Sequence, residues 1–362
     1  MSKPLPLVTQ VLWGLERGGA ERMVFDLASL LPARGYRVQV IAAGGDGPMR
    51  EDFERAGIPL LLGPKTTQRR KTFAFLWKTL RQDRLMILHT HLGGSTWAGF
   101  VSRLCRIHPW IITSHAIDRD LPWVSGRLLR SAFRHADHVA CVSKTVRAHA
   151  EDAFGTKSDR LSVIRSGINL DALHSRPLRL FHDVPRLVVV SRLVPGKGHE
   201  LLLHALSRVK RPWQLDVLGD GSLRLKLERL AESLGLSPRV HFLGTVQDVP
   251  RRLQDADALL FPSESEGQGL ALLEAAGSRV PAIVSDLSVF RETFDETSLV
   301  FANPTSVEDW VKKIHGFLGD PLHALDRATH AKEIVECYFR REQMADAYVA
   351  LYKKLSKKYH DK

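Results

Sequence analysis

Hydrophobic and polar positions along the chain fall into two alternating patterns. Short runs rich in Val, Ile and Leu have the length and polar borders of buried strands: "LVTQVL" (7–12), "RVQVIAA" (37–43), "RLMILHT" (84–90), "WIITSH" (110–115) and "HVACVS" (138–143). Longer stretches between them, such as "AERMVFDLASLLPARG" (20–35), repeat their apolar positions at helical spacing. The rhythm breaks over 165–185, "RSGINLDALHSRPLRLFHDVP", where Gly167, Pro177 and Pro185 interrupt it. It restarts with "RLVVVS" (186–191), "WQLDVLG" (213–219), "VHFLG" (240–244), "ALLFPS" (258–263) and "PAIVS" (281–285). Strand then helix, repeated, predicts parallel sheets wrapped by helices. The α/β chain is therefore expected to form two doubly wound domains, residues 1–168 and 186–338, joined by a linker over 169–185. The strand ends of each should face a cleft between them, the usual ligand position in this architecture. A final segment, 339–362, contains the amphipathic pattern "REQMADAYVALYKKL" (341–355).

Composition narrows the class. The 362 residues are 44% hydrophobic with mixed charge, as in globular proteins. No apolar run approaches the ~20 residues of a membrane span. The apolar start after Lys3 lacks a small-residue cleavage site and is expected to be a first strand. Three scattered cysteines, Cys105, Cys141 and Cys337, exclude a disulfide framework and a cysteine-rich metal site, and suit a reducing cytoplasm. The net charge of +12 lies in residues 1–170 and the last ten. A basic half can meet nucleic acid, anionic lipid or a phosphorylated substrate; it can also serve solubility alone. Within it, "TTQRRKTFAFLWKTLRQDR" (66–84) sets Arg69, Arg70, Lys71, Lys78, Arg81 and Arg84 beside Phe73, Phe75, Leu76 and Trp77 on an expected helix. That is the pattern of a membrane-interfacial segment, or of a helix whose aromatic groups pack inward. No nucleic-acid module surrounds it.

The candidate chemistry sits where strands hand over to helices. Gly18-Gly19 precede a helix after the first strand, and "RLVPGKGHE" places Arg192, Lys197 and Gly198 before a helix after strand 186–191. Glycines let a ligand approach the backbone, and the free N–H groups of a helix's first turn favour anions. With two cations added, the second turn suits a diphosphate. Neither completes a P-loop or a dinucleotide fingerprint. In "SESEGQGLALLEAAG" (263–277), Glu266 and Glu274 flank Gly267-Gln268-Gly269-Leu270. Helical geometry would separate the two acids by roughly 12 Å, beyond the ~5–9.5 Å of glycosidase carboxylate pairs. Two hydroxyl acceptors at the ends of a polyol ligand fit better, with backbone amides between them for negative oxygens; a solvated helix start is the alternative. The histidines of "HTH" (89–91) point the same way from a strand, but no Asp, Cys or third His is near in sequence, so no metal is expected there.

"EGQGLALLE" resembles the E-x7-E signature of the retaining glycosyltransferases of family 4. "ERGGAER", "HTHLGGSTWAGFVSRL", "IITSHAID", "SRLVPGKGHELLLHAL", "LGDGSLR" and "VHFLGTV" resemble further family segments in the same order. The resemblance implies the GT-B fold, a UDP- or GDP-sugar donor and no obligatory metal or other cofactor. By that resemblance Glu274 holds the donor's ribose and Glu266 the transferred sugar, beside the amides of Gly267, Gln268, Gly269 and Leu270. Arg192 and Lys197 neutralise the diphosphate, Gly18 and Gly19 approach the donor, and His115 stands near the reacting sugar. The C-terminal helix is implied to cross back onto the N-terminal domain, which takes the acceptor. Three positions depart from the family pattern: Gln268 replaces an aromatic residue, Arg165-Ser166 a Pro-Asn pair, and Gly196 an acid or amide.

These readings lead to a cytoplasmic glycosyltransferase, peripheral on the inner membrane face, acting on a glycan or lipid-linked acceptor in cell-surface polysaccharide, lipopolysaccharide or glycolipid assembly. A nucleotide-sugar epimerase of the same fold and a non-catalytic basic protein that binds membrane or nucleic acid are the alternatives. Dependence of donor consumption on an acceptor separates the first; the joint presence of Arg192, Lys197, Glu266 and Glu274 argues against the second.

Overall fold

A computed structural model describes residues 5–65, 69–83, 86–91, 94–117, 123–177 and 179–360. The chain divides into two compact units, one of Met1–Gly167 with Arg341–Lys362 and one of Ile168–Arg340.

The first unit is built on seven parallel strands: Leu7–Leu12 (β1), Arg37–Ala42 (β2), Leu60–Leu62 (β3), Ile87–His91 (β4), Trp110–Ser114 (β5), His138–Cys141 (β6) and Leu161–Val163 (β7). Their order is β3-β2-β1-β4-β5-β6-β7. Helices Gly19–Leu30 (α1), Arg50–Arg55 (α2), Arg69–Leu80 (α3), Gly94–Cys105 (α4), Trp123–His135 (α5) and Lys144–Asp152 (α6) connect them. Successive side chains of a strand point to opposite faces, and both faces of this sheet are covered. Val8 and Leu12 of β1 and Val38 and Val40 of β2 pack on Met23, Val24 and Leu27 of α1. Val11 and Ile41 face the other way, with Leu76 and Leu80 of α3 and Val101 of α4.

The second unit has six parallel strands, Arg186–Val190 (β8), Gln214–Leu218 (β9), Val240–Gly244 (β10), Ala258–Phe261 (β11), Ala282–Ser285 (β12) and Val300–Ala302 (β13). They lie in the order β10-β9-β8-β11-β12-β13. Its helices are His199–Ser207 (α7), Arg224–Ser233 (α8), Val249–Asp255 (α9), Leu270–Gly277 (α10), Ser288–Arg291 (α11), Val307–Gly319 (α12) and Pro321–Tyr338 (α13). Again two apolar layers form: Leu187, Val189 and Leu260 face Leu202, Leu206 and Trp310, while Val188, Leu259 and Phe261 face Leu272, Ala276 and Val335. Each fully buried large apolar side chain contributes about 1.5–3 kcal/mol.

The last helix, Arg341–His360 (α14), belongs to the first unit. Met344, Ala345, Tyr348 and Tyr352 complete the core on the α1 face of that sheet. The described residues of 169–185, read from sequence as a linker, are irregular apart from a 3-10 turn at Leu170–Ala172 and belong to the second unit. Arg176 is 1% exposed; its guanidinium meets Asp257 at 3.0 Å and donates to the Ala256 carbonyl. Asp257 also accepts from Arg179, the His182 ring and the backbone N–H of Arg186.

Helix α3 bears out only part of its expected amphipathic character. Leu76 and Leu80 are buried, and Phe73, Phe75 and Trp77 are half-buried against the core. Among the described residues, the neighbouring α4 exposes Phe100 and Leu104. Arg84 and the side chain of Arg69 lie outside the described residues.

Candidate active site

Each sheet reverses its strand order once, between β1 and β4 in the first unit and between β8 and β11 in the second. At such a point the loops leaving adjacent strands diverge and open a crevice beyond the strand ends. The residues singled out from sequence follow these strands, together with β5.

In the second unit the loop after β8 and the loop after β11 are locked together. Gly198 has φ +69°, and a Cβ there would lie 1.9 Å from the Pro262 carbonyl oxygen, so only glycine lets the two backbones touch. The Glu264 N–H donates to the Gly196 carbonyl at 2.9 Å. Across this contact the Lys197 ammonium donates to Glu266 Oε1, which also accepts from Ser263 Oγ at 2.8 Å. Lys197 and Glu266 side chains are 19% and 13% exposed, so the pair is partly desolvated. Arg192 is exposed in the same loop. Gly269 caps α10 with φ +82°, where a Cβ would press on Phe290 and Phe261. Its carbonyl takes the N–H groups of Leu272 and Leu273. The N–H groups ahead of them, in the first helical turn at Leu270, have no carbonyl partner within the helix. Gln268 and Glu274 are half-buried and Gly267 is buried. The structure thus brings Lys197 and Glu266 into contact, and it adds Ser263 and His199, which sequence reasoning missed. His199 Nε2 meets Ser191 Oγ at 2.9 Å. Burial, then the Lys197 charge, pulls the His199 ring down to about 4, so it is neutral.

In the first unit Gly18 caps α1 in extended conformation, followed by exposed Gly19. The Glu21 carboxylate reaches back over this end, with Oε2 2.5 Å from where a Gly18 Cβ would stand. The acid of the first turn thus lies against Gly18, at the end of α1. His115 follows β5 and is half-buried. Its Nε2 is 3.0 Å from His91 Nδ1, and His91 Nε2 is 2.6 Å from Gln10 Oε1. One turn of the pleat back, His89 Nδ1 meets the Tyr352 hydroxyl and Nε2 meets Thr113 Oγ1, each at 2.7 Å. Thr113 Oγ1 in turn meets the Tyr348 hydroxyl at 2.8 Å. Burial lowers all three histidines: His89 to about 3, His115 to about 4, and His91 well below its usual value. The rings are neutral at ordinary pH. The "HTH" segment does have a third histidine beside it, which sequence distance concealed. Both nitrogens of His89 and of His91 are nevertheless engaged in hydrogen bonds.

The second unit also carries a hollow of about 430 Å³ beyond β12 and β13, lined by Asp286, Arg291, Asn303 and Lys313. Arg291 there is already held by Asp286 and Glu296 and stacked over Phe301 at 3.6 Å.

Two doubly wound units, each with a glycine turn at its switch point, are the architecture of the GT-B class of glycosyltransferases. The comparisons agree. The family model described as Glycosyltransferase Family 4 matches residues 17–172, and that described as Glycosyl transferases group 1 matches 172–334. The chain belongs to this family of glycosyltransferases. It is 25% identical over 349 residues to the gpi3 subunit of phosphatidylinositol N-acetylglucosaminyltransferase of Schizosaccharomyces pombe, covering 89% of this chain and 74% of that one. It is 32% identical over 149 residues to the O-antigen biosynthesis glycosyltransferase WclY of Escherichia coli, covering 39% and 42% of the two chains. Among solved structures, Anabaena HepE in complex with UDP and glucose superposes with a TM-score of 0.86 at 18% identity, over 97% of this chain and 100% of that one. Among the described residues no helix is long and apolar enough to cross a membrane.

Proposed function

We propose that the protein is a retaining transferase that moves a hexosyl-type sugar from a UDP- or GDP-sugar to a glycan or lipid-linked acceptor. Its place is the assembly of a cell-surface polysaccharide, lipopolysaccharide or glycolipid at the cytoplasmic membrane face. One observation carries the reading: the basic turn 192–198 and the acidic segment 263–274 are locked side by side, with Lys197 on Glu266. A diphosphate entering there would share Lys197 with Glu266 and add Arg192 and the amides near Leu270. Charge growing on the leaving phosphate is then stabilised by fixed donors, with no metal required. Glu266, freed in part from Lys197, takes hydroxyls of the sugar, and Glu274 those of the ribose. Gly18 and Gly19 give a ligand close access to backbone, and His115 takes a sugar hydroxyl.

The relatives' names support a nucleotide-sugar donor and an acceptor carried by lipid or glycan. Peripheral membrane contact is supported by exposed Arg70, Lys71, Lys78 and Arg103 near the exposed Phe100 and Leu104. Each basic residue near an anionic leaflet contributes about 1 kcal/mol.

The deciding experiment is a thermal-shift panel of UDP- and GDP-sugars, followed by NMR of the product formed with the stabilising donor. One donor should raise Tm well above the others, and the new glycosidic bond should keep the donor's anomeric configuration. Inversion, or donor consumption without an acceptor, refutes the reading.

A further inference from the structure

A hydrogen-bond chain behind His115 bears on which of its ring nitrogens carries the hydrogen. Gln10, His91 and His115 stand on β1, at the end of β4 and just after β5, on the sheet face covered by α1 and α14. Gln10 and His91 are both 0% exposed, so neither has water as a substitute partner. With its amide turned to present Oε1, which can only accept, Gln10 puts the hydrogen of this link on His91 Nε2, while its own Nε2 is buried without a partner among the described residues. A neutral imidazole has one N–H, which leaves His91 Nδ1 as an acceptor. The hydrogen in the next link must then come from His115 Nε2. His115 Nδ1 is left bare, and it has no hydrogen-bond partner among the described residues. A second chain, Tyr352–His89–Thr113–Tyr348, lies alongside and holds the His89 ring tilted at 41° against His91, 4.2 Å between ring centres.

We propose that Gln10 and His91 are positioning residues that lock His115 in the Nε2–H tautomer, so that Nδ1 is presented as a hydrogen-bond acceptor for a substrate hydroxyl. A bare nitrogen takes a hydroxyl hydrogen and rejects a carbonyl or phosphate oxygen, which offers only lone pairs. The chain therefore acts as a selector for a sugar hydroxyl. This rests on the assignment of His115 to the active site, and the test separates the two.

The full-length protein labelled with nitrogen-15 in histidine is examined by long-range proton–nitrogen correlation, with His115 assigned by its loss in His115→Gln. The wild type should show His115 protonated on Nε2 and bare on Nδ1. Protonation on Nδ1 overturns the proposal whatever the activity, and this readout needs no destabilised variant. Gln10→Leu should give a mixture of His115 tautomers and lower kcat about ten- to a hundredfold, with little change in donor KM. Gln10→Glu, which sets a carboxylate against His91 in a dry core, should draw a second proton onto His91 and turn His115 to the Nδ1–H tautomer, with the rate still low. A general packing defect would leave the tautomer unchanged in both variants, which also overturns the proposal. Full turnover in His115→Ala, with the wild-type tautomer as expected, would remove the active-site reading instead and with it the selector role.

Discussion

Lys197 and Glu266 offer the sharpest energetic test, because one contact is asked to serve both folding and catalysis. The Lys197 ammonium has 19% of its side chain exposed and Glu266 has 13%, so removal of either leaves a charge poorly hydrated. A hydrogen bond to a charged group contributes about 1.5–3 kcal/mol. Glu266 keeps the Ser263 hydroxyl in Lys197→Met, so that change should cost nearer the lower end, about 1.5 kcal/mol. Glu266→Gln retains the shape and an acceptor oxygen but not the charge, and should cost about the same. The double variant removes both charges together, so its cost should fall short of the sum by about 1 kcal/mol or more. Urea unfolding of the four proteins at one pH measures this coupling. Saturating the nucleotide diphosphate of the preferred donor should shrink it, because the diphosphate then shares the lysine. Turnover in Lys197→Met should fall roughly a hundredfold, as when one preorganised donor to a developing anion is removed. Additivity within about 0.5 kcal/mol would refute the energetic reasoning, and unchanged kcat would refute the catalytic role.

Other expectations use different parts of the molecule. Glu274→Ala should raise the KM for donor while kcat changes little, because ribose hydroxyls are remote from the bond being broken; steady-state kinetics with varied donor checks this, and a kcat effect alone contradicts it. Acidification should destabilise the fold: the folded values of His89 and His115 lie near 3 and 4, below the ordinary ~6.5, so the unfolded chain binds more protons in between. Stability is then full above pH ~6.5 and lost as pH falls toward those values, by about 1.4 kcal/mol per pH unit for each histidine; a flat urea midpoint between pH 7 and 5.5 contradicts it. Arg176→Met should cost about 3 kcal/mol in unfolding free energy by stranding Asp257, and a loss under 1 kcal/mol would mean that Arg179 and His182 suffice. Liposome co-sedimentation should require anionic lipid and weaken with salt, and both Arg70/Lys71→Ser and Phe100/Leu104→Ser should reduce it; equal pelleting with neutral vesicles rejects peripheral docking.

The alternating fold was legible because its long strands are buried on both faces and read as apolar runs. Three strands escaped: β3, β7 and β13, each three residues long and each at the margin of its sheet. A margin strand pairs on one side only, so a short stretch with no clear periodicity suffices. The packing of 169–185 escaped for another reason. Much of its order comes from Arg176, Arg179 and His182 converging on Asp257, 75 to 81 positions away, and such a buried polar cluster leaves no hydrophobic signature. In α3 the residue types were right for an interfacial face, but the core claimed Leu76 and half of Phe73, Phe75 and Trp77. The site loops could be read as glycine turns with charges, yet nothing local showed that Lys197 meets Glu266. That contact needs both loops to leave neighbouring strands, which is a property of strand order.

The histidines show most clearly why local reading stops where it does. Gln10 and His91 are 81 positions apart, and His89 and Tyr352 are 263 apart. Parallel pairing of β1 with β4 and β4 with β5 puts Gln10, His89, His91, Thr113 and His115 on one face at one end of the sheet. That face is closed by α14, whose Tyr348 and Tyr352 are both fully buried. Without their hydroxyls His89 would keep a polar nitrogen in a dry core, at a cost of about 1–3 kcal/mol. His89 lies in ring contact with His91, which holds His115. The C-terminal helix thus adds to the core and, through its two tyrosines and Thr113, holds the ring against which His91 lies. A chain segment remote in sequence becomes part of the support of the candidate site, and the polarity of its tyrosines matters as much as their volume.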